Sequence, residues 1–224
     1  MADEPALTVD VISDVMCPWC YIGKRRLEAA IARLPDVTVQ VGWHPYQLDP
    51  SLPKEGKDRA TYLNEKFGGR ANARSIYDHI SEVGRETGIP FAFDRIEVSP
   101  NTKDCHRLIL WARADGLQDE VVDLLFKAYF EDGADLSKSE TLVAIAEKAG
   151  MQADLVEQLL ETDSDLDKIE HQVDRARLMG VTGVPCFVID GRFVVNGAEA
   201  PETLAAAIMH ARETRSFVPE DSLS

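Results

Sequence analysis

The stretch SDVMCPWCYIGKRRLEAAI, residues 13–31, sets two cysteines three positions apart, with Pro18 and Trp19 between them, where one sequence texture gives way to another. Upstream, LTVDVIS is short and β-branched and reads as a strand over residues 7–13. Downstream, Leu27, Ala30, Ile31 and Leu34 recur at helical spacing, and Pro35 with Asp36 closes the pattern. The helix is predicted to start at Pro18, because a proline at the first helical position gives up an N–H that has no partner there. Cys17 then faces unpaired amides and the positive end of the helix dipole, a setting that favours thiolate over thiol. Cys20 lies one turn further in, close enough to attack a mixed disulfide on Cys17. The same spacing also admits half of a zinc site or an inert core pair. Zinc needs two more ligands, yet Cys105 and Cys186 are isolated and no two histidines are spaced as a ligand pair.

Working outward, VTVQVGWHPYQL (residues 37–48) reads as a second strand, so the chain opens as a βαβ unit, whose crossover is expected to be right-handed. From about residue 49 to 179 the texture is helical, in segments that often end at glycine, as a helix C-terminus does. Val121, Leu124, Leu125 and Ala128 form one apolar face there. Within this region IPFAFDRIEVSP, residues 89–100, reads as an extended loop. After Gly180, PCFVIDGRFVVNG is two apolar runs joined by Asp190-Gly191, a hairpin signal. APETLAAAIMHARETR is a closing helix, with Leu204, Ala207, Ile208 and Ala211 on one face, and SFVPEDSLS is expected to fray. Pro185 stands just before the returning strand, where a residue that cannot donate to a sheet ladder belongs. With the helical stretch removed, the order is βαβ then ββα, that of a thioredoxin-like domain facing its dithiol with a cis-proline loop.

Bulk properties narrow the function classes. The chain has 224 residues, 45% of them hydrophobic, which suffices for a sizeable core. Its 24 basic and 39 acidic residues give a formal charge of −15, which opposes binding to nucleic-acid phosphates and to anionic membrane surfaces. No apolar run approaches membrane-span length, and the N-terminus MADEPALTVDVIS lacks the basic start and apolar core of a secretory signal, so a cytoplasmic location is expected. Four cysteines are too few for a disulfide-stapled scaffold.

The motifs SDVMCPWCYIGK, NTKDCHRLILWA with AYFEDG, and GVTGVPCFVIDGRFVVNGAEAPETL resemble the DsbA-like thioredoxin-fold proteins, specifically their FrnE-type cytoplasmic branch, over residues 8–211. The resemblance implies an α/β chain: a thioredoxin-like domain formed by residues 1–50 and 178–224, interrupted by an all-helical insertion domain, residues 51–177. It implies thiol–disulfide oxidoreductase activity on protein or low-molecular-weight disulfides, with Cys17 as nucleophile, Cys20 as resolving cysteine and Val184-Pro185 as the cis-proline loop. Pro18, Trp19 and Val184 would contact substrate, and Asn101, Thr102 and His106 of the helical part would lie near the site. No metal and no tightly bound cofactor are expected. Glutathione is an eligible co-substrate, thiol- or disulfide-containing molecules are the expected partners, and a homodimer is compatible with the family.

The same resemblance carries an alternative. Glutathione-dependent relatives of the 2-hydroxychromene-2-carboxylate isomerase and kappa-transferase type share the interrupted fold, and FrnE-like proteins have carried a polyketide-isomerase label. Those glutathione enzymes place Ser where this chain has Cys17, which favours the dithiol reading. One departure stands out: many thioredoxin relatives have a buried carboxylate six residues before the first cysteine, where this chain has Val11. Asp10 and Asp14 flank that position, so the group that handles the Cys20 proton is left open. Cys105 and Cys186 are expected to be small apolar fillers of the core.

Overall fold

The computed structural model describes residues 5–215. The tail expected to fray, and the first four residues of the N-terminal stretch, lie outside the described residues. Strand β1 (Leu7–Ser13) runs directly into helix α1 (Pro18–Ala32). The helix stops two residues before Leu34, which packs against the core from the following turn. Strand β2 (Val39–Pro45) returns parallel to β1, with Val11 opposite Trp43. Strands β5 (Cys186–Ile189) and β6 (Phe193–Asn196) complete a sheet of order β2-β1-β5-β6, in which β5 is antiparallel to both neighbours. Asp190, Gly191 and Arg192 join them: Asp190 and Gly191 take left-handed φ of 54° and 65°, and the Arg192 amide closes the turn on Ile189 O at 3.1 Å. Helix α9 (Pro201–Arg215) packs beside α1.

Between β2 and β5 lie helices α2 (Arg59–Phe67), α3 (Arg70–Glu86), α4 (Lys103–Ala112), α5 (Gln118–Phe130), α6 (Ser139–Ala149), α7 (Ala153–Leu160) and α8 (Leu166–Leu178). The segment expected to be an extended loop instead carries a 3-10 turn (Phe93–Arg95) and a two-residue strand, β4 (Val98–Ser99), paired antiparallel with β3 (Lys57–Asp58). That pairing has no length or periodicity to announce it; the ladder exists because Gly56 and Pro100 bring the two segments side by side, where a Cβ on Gly56 would stand 2.6 Å from Val98 Cγ1.

Strand alternation divides the sheet. Val9, Val11, Phe187 and Ile189 join the main core with Leu27 and Ala30 of α1 and Leu204 and Ile208 of α9. That core continues without a break through Tyr21 into α5, where the ring of Tyr21 stacks on Phe126 at 5.0 Å and its hydroxyl donates to Glu131 at 2.5 Å. Ile12 and Cys186 point to the opposite face and pack with Tyr46 and Ala176. The helix that carries the two cysteines is thus clamped between the sheet and α5. Lys24 reinforces the clamp by reaching Asp119 at 2.8 Å, and Arg25 does so by reaching Asp123 at 2.6 Å. Among the described residues, no helix is long and apolar enough to cross a membrane.

Candidate active site

Cys17 is the residue just before the first turn of α1, with extended φ and ψ of −93° and 112°, and Pro18 follows at the first helical position. Its carbonyl accepts from the Cys20 amide at 3.0 Å, and its own amide donates to Asp14 O at 3.0 Å. These bonds fix the tight turn from β1 into the helix. The Val184–Pro185 peptide bond is cis. The loop that carries it faces the dithiol: Cys17 Sγ lies 3.6 Å from Val184 O, across 167 residues of chain. All four cysteines are unbridged.

The two thiols are not equivalent. Cys17 is 4% exposed and lines a cavity, whereas Cys20 is 1% exposed and lies beneath it. Burial pushes the Cys20 thiol well above its ordinary value, and the adjoining Cys17 sulfur adds to the rise. A hydrogen bond from Ser13 and one from the backbone of Asp14 oppose it. Val11 therefore has no polar stand-in at its own position; the polar groups that reach Cys20 come from Ser13 and Asp14, at the end of β1 and in the turn after it. Ser13 went unnoticed in the sequence because it looks like an ordinary strand terminus. The Asp14 carboxylate is fully buried and accepts from the Leu48 amide at 2.7 Å and the Met16 amide at 3.4 Å, so it braces the turn that carries Cys17.

The cavity beside Cys17 measures about 290 Å³. Met16, Pro18, Trp19 and Val184 form its near wall, and Tyr62, Ile76, Tyr77 and Ile80 of α2 and α3 form its far wall. Trp19 reaches across to His79 of α3, with ring centroids 6.0 Å apart. Arg59, at the start of α2, also lines the cavity. The structure thus gathers Cys17, Pro18, Trp19 and Val184 around one space, with Cys20 and Pro185 packed behind them.

Asn101, Thr102 and His106 lie elsewhere. Asn101 lines a separate cavity of about 300 Å³ with Lys54 and Asp104, and its side chain is committed to Leu52 O at 2.6 Å and the Lys103 amide at 3.1 Å. Thr102 is buried at the start of α4. His106 is buried, with Nε2 2.9 Å from Tyr46 O and 3.7 Å from Asp14 Oδ1. A carbonyl only accepts, so Nε2 carries the proton; His106 is not among the residues that line the cavity beside Cys17, and it meets Asp14 and, across a small cavity, Ser13. Cys105 and Cys186 are both buried; burial pushes both thiols up, and the strand alternation that puts Phe187 in the main core sends Cys186 to the other side of the sheet. Among the described residues, no group of three or more His, Cys, Asp or Glu side chains is arranged to hold a metal ion.

Sequence reasoning also missed Gly23. It lies on the face of α1 that meets Pro185, and a Cβ there would stand 2.8 Å from Pro185 Cγ and 3.2 Å from Phe187 Cζ. Both neighbours are ring atoms with little freedom to yield. Gly23→Ala is expected to cost about 1–3 kcal/mol of stability, as overpacking does, and to lower dithiol turnover several-fold by pushing the Val184 carbonyl away from Cys17. Denaturant titration and an insulin-reduction assay check it; wild-type values in both would show that the helix and loop need not approach so closely.

With this geometry in hand, comparison with known proteins is decisive. The model of the DSBA-like thioredoxin domain matches residues 8–209. The chain belongs to the DSBA-like thioredoxin domain family. Among solved structures, this DsbA-like chain is similar to a probable DsbA oxidoreductase from Streptomyces coelicolor, with 29% identity, a TM-score of 0.88, and coverage of 97% of this chain and 94% of that one. It shares the fold of 2-hydroxychromene-2-carboxylate isomerase, at 17% identity and a TM-score of 0.69 over 95% of this chain and 100% of that one. Among curated proteins, it is 25% identical to the uncharacterized protein YwbO of Bacillus subtilis (strain 168), over 89% of this chain and 94% of that protein. The α/β architecture, a thioredoxin-like fold with a helical insertion, is that of the family.

Proposed function

We propose that this DsbA-like protein is a thiol–disulfide oxidoreductase that works through Cys17 and Cys20 on thiol- or disulfide-containing substrates. The observation that carries the reading is the asymmetry of the pair: Cys17 lines a cavity at the start of α1, with its sulfur 3.6 Å from Val184 O, while Cys20 is buried behind it with its thiol held up. In the reducing direction, the Cys17 thiolate attacks one sulfur of the substrate disulfide. A Cys17–substrate disulfide forms, the substrate S–S bond breaks, and one substrate thiolate leaves. Cys20 then loses its proton and attacks Cys17 Sγ, which releases the second substrate thiolate and forms the Cys17–Cys20 disulfide. The substrate gains two electrons and the dithiol loses two. An external thiol restores the dithiol by the reverse sequence, and glutathione in a cytoplasmic setting fits that role. The cysteines carry the electrons themselves, so the step calls on no metal and no bound cofactor. Pro18, Trp19 and Val184 border the space in which the substrate sulfur must sit.

The test is differential alkylation. Reduced Cys17→Ser and Cys20→Ser variants are treated with iodoacetamide near neutral pH and read at the peptide level. Only thiolate reacts, and burial holds the Cys20 proton on. Cys17 in the Cys20→Ser variant is therefore expected to react at least about tenfold faster than Cys20 in the Cys17→Ser variant, whose rate should climb only as the pH rises beyond the ordinary thiol value. Equal rates at neutral pH would remove the assignment of nucleophile and resolving cysteine.

A further inference from the structure

Among the described residues, three Lys or Arg side chains are buried: Lys24 at 2%, Arg59 at 5% and Arg107 at 0% exposure. Two of them have carboxylate partners, Lys24 in Glu28 and Asp119, and Arg107 in Asp104. Arg59 has none within ion-pair distance among the described residues, in a chain with 39 acidic residues to choose from. Its guanidinium instead donates to hydroxyls: Ser99 Oγ at 3.2 Å, Tyr129 at 3.3 Å and Tyr77 at 2.7 Å. It also lies over the rings of Tyr77, at 5.2 Å, and Tyr129, at 5.9 Å. Neutral hydroxyls and ring faces orient the group but give it no carboxylate in direct contact; the buried Asp14 acts on Tyr62 and Tyr129 together with Arg59 only at longer range, and a buried charge without a contacting counter-ion is costly.

This side chain is also the one of the three that lines the cavity beside Cys17. Tyr77 links them, since it is hydrogen-bonded to Arg59 and lies within the field of the Cys17 sulfur. Lys66 stands on the same wall, its ammonium 2.6 Å from the Tyr62 hydroxyl. The remaining lining is largely apolar and aromatic, from Met16, Trp19, Phe67, Ile76 and Ile80. The cavity therefore combines a reactive sulfur, an apolar wall and a preoriented guanidinium in about 290 Å³. A guanidinium fork is suited to a carboxylate.

We propose that Arg59 is a substrate-binding residue that selects small disulfides and thiols bearing a carboxylate. The assignment rests on the dithiol function proposed above and names its substrate class. The carboxylate pairs with Arg59, the apolar spacer lies along the aromatic wall, and the disulfide sulfur is brought to Cys17. The overall charge of −15 works against any such preference, because it repels anions at long range. A preference for anionic substrates must therefore come from the cavity itself.

Reduced protein is oxidised in single turnovers by 3,3′-dithiodipropionate, which carries two carboxylates, and by neutral 2-hydroxyethyl disulfide. Each rate is divided by that of the same disulfide with a small free dithiol, which removes intrinsic differences in leaving group. The normalised anionic-to-neutral ratio is expected to exceed one in the wild type, to fall about tenfold in Arg59→Gln, the size a charge-assisted hydrogen bond supplies, and to recover in part in Arg59→Lys. A ratio that Arg59→Gln leaves unchanged would make Arg59 a purely structural residue and overturn the proposal. If the Arg59 variants do not fold, the wild type decides alone. Carboxymethylation of Cys17 by iodoacetate, relative to alkylation by iodoacetamide, should exceed the same ratio for a free thiol, and a ratio below the free-thiol value overturns the proposal. Failure of the neutral disulfide to oxidise Cys17 at all would instead strike the dithiol function itself, so the two failures are distinct.

Discussion

Cys17→Ser is expected to lose disulfide turnover by about 10³-fold or more, the scale on which removing a nucleophile acts, while keeping the fold. The sulfur contacts Val184 O at 3.6 Å and the neighbouring Cys20 thiol, and Ser is close to it in size, so little packing is lost. Cys20→Ser should behave differently. Its Cys17 can still attack, but nothing resolves the product, and a Cys17–substrate mixed disulfide should accumulate and be visible by intact mass under non-reducing conditions. The contrast between a silent variant and a trapped one follows from the division of labour between a cavity-lining sulfur and a buried one. Turnover by Cys17→Ser near the wild-type rate would exclude the mechanism, as would free cycling by Cys20→Ser.

The largest expected effect on stability lies far from the dithiol. Arg107 of α4 is fully buried and gathers the end of α7 and the turn that follows it. Its guanidinium donates to Leu159 O at 2.6 Å, Thr162 O at 2.8 Å and Ser164 O at 2.7 Å, and it pairs with Asp104 at 2.7 Å. Thr162 O and Ser164 O, in the turn beyond α7, are thereby satisfied by one side chain, which also shares Leu159 O with the amide and hydroxyl of Thr162. Arg107→Met keeps much of the volume and removes every donor. The expected loss is about 3–5 kcal/mol, the range for breaking a buried charged network by deleting one partner. Denaturant titration checks it, and a loss below about 1 kcal/mol would mean that the carbonyls find water instead. Reactivity of Cys17 should be retained in the folded fraction, because Arg107 does not border the cavity beside Cys17.

Much of the frame was legible in the residues because it is local. Pro18 after Cys17 marks the helix start, Asp190-Gly191 marks the hairpin, and β-branched runs mark β1 and β5; each signal acts within a few residues and needs no tertiary context. The mutual placement of Cys17 and Pro185 came from the order of elements and from the family resemblance. The far wall of the cavity was not legible. Tyr62, Tyr77 and Ile80 sit on helices whose periodicity reveals a buried face but not what that face meets. Arg59 reads as an ordinary charged residue at the start of a helix; its meaning depends on Ser99, Tyr77 and Tyr129 supplying hydroxyls where a carboxylate would be expected. Gly23 likewise looks like a helix weakness until Pro185, from the other end of the chain, is found packed against it. Asn101 and His106 share one sequence motif, but Asn101, in the turn before α4, donates to Leu52 O and His106, in the first turn of α4, meets Tyr46 O, because each side chain's polar atoms must be satisfied where the backbone leaves them.

The most direct measurement is a redox titration of the protein against glutathione buffers, with thiols alkylated at each point and the tryptic peptides weighed. The first basic residue of the chain is Lys24, so Cys17 and Cys20 fall in one peptide, apart from Cys105 and Cys186. A single two-electron transition is predicted, in which that peptide loses both alkylation sites together while Cys105 and Cys186 stay reduced throughout. Oxidation that bridges Cys17 to Cys186, or a Cys17–Cys20 pair that never closes across the buffer range, would contradict the account.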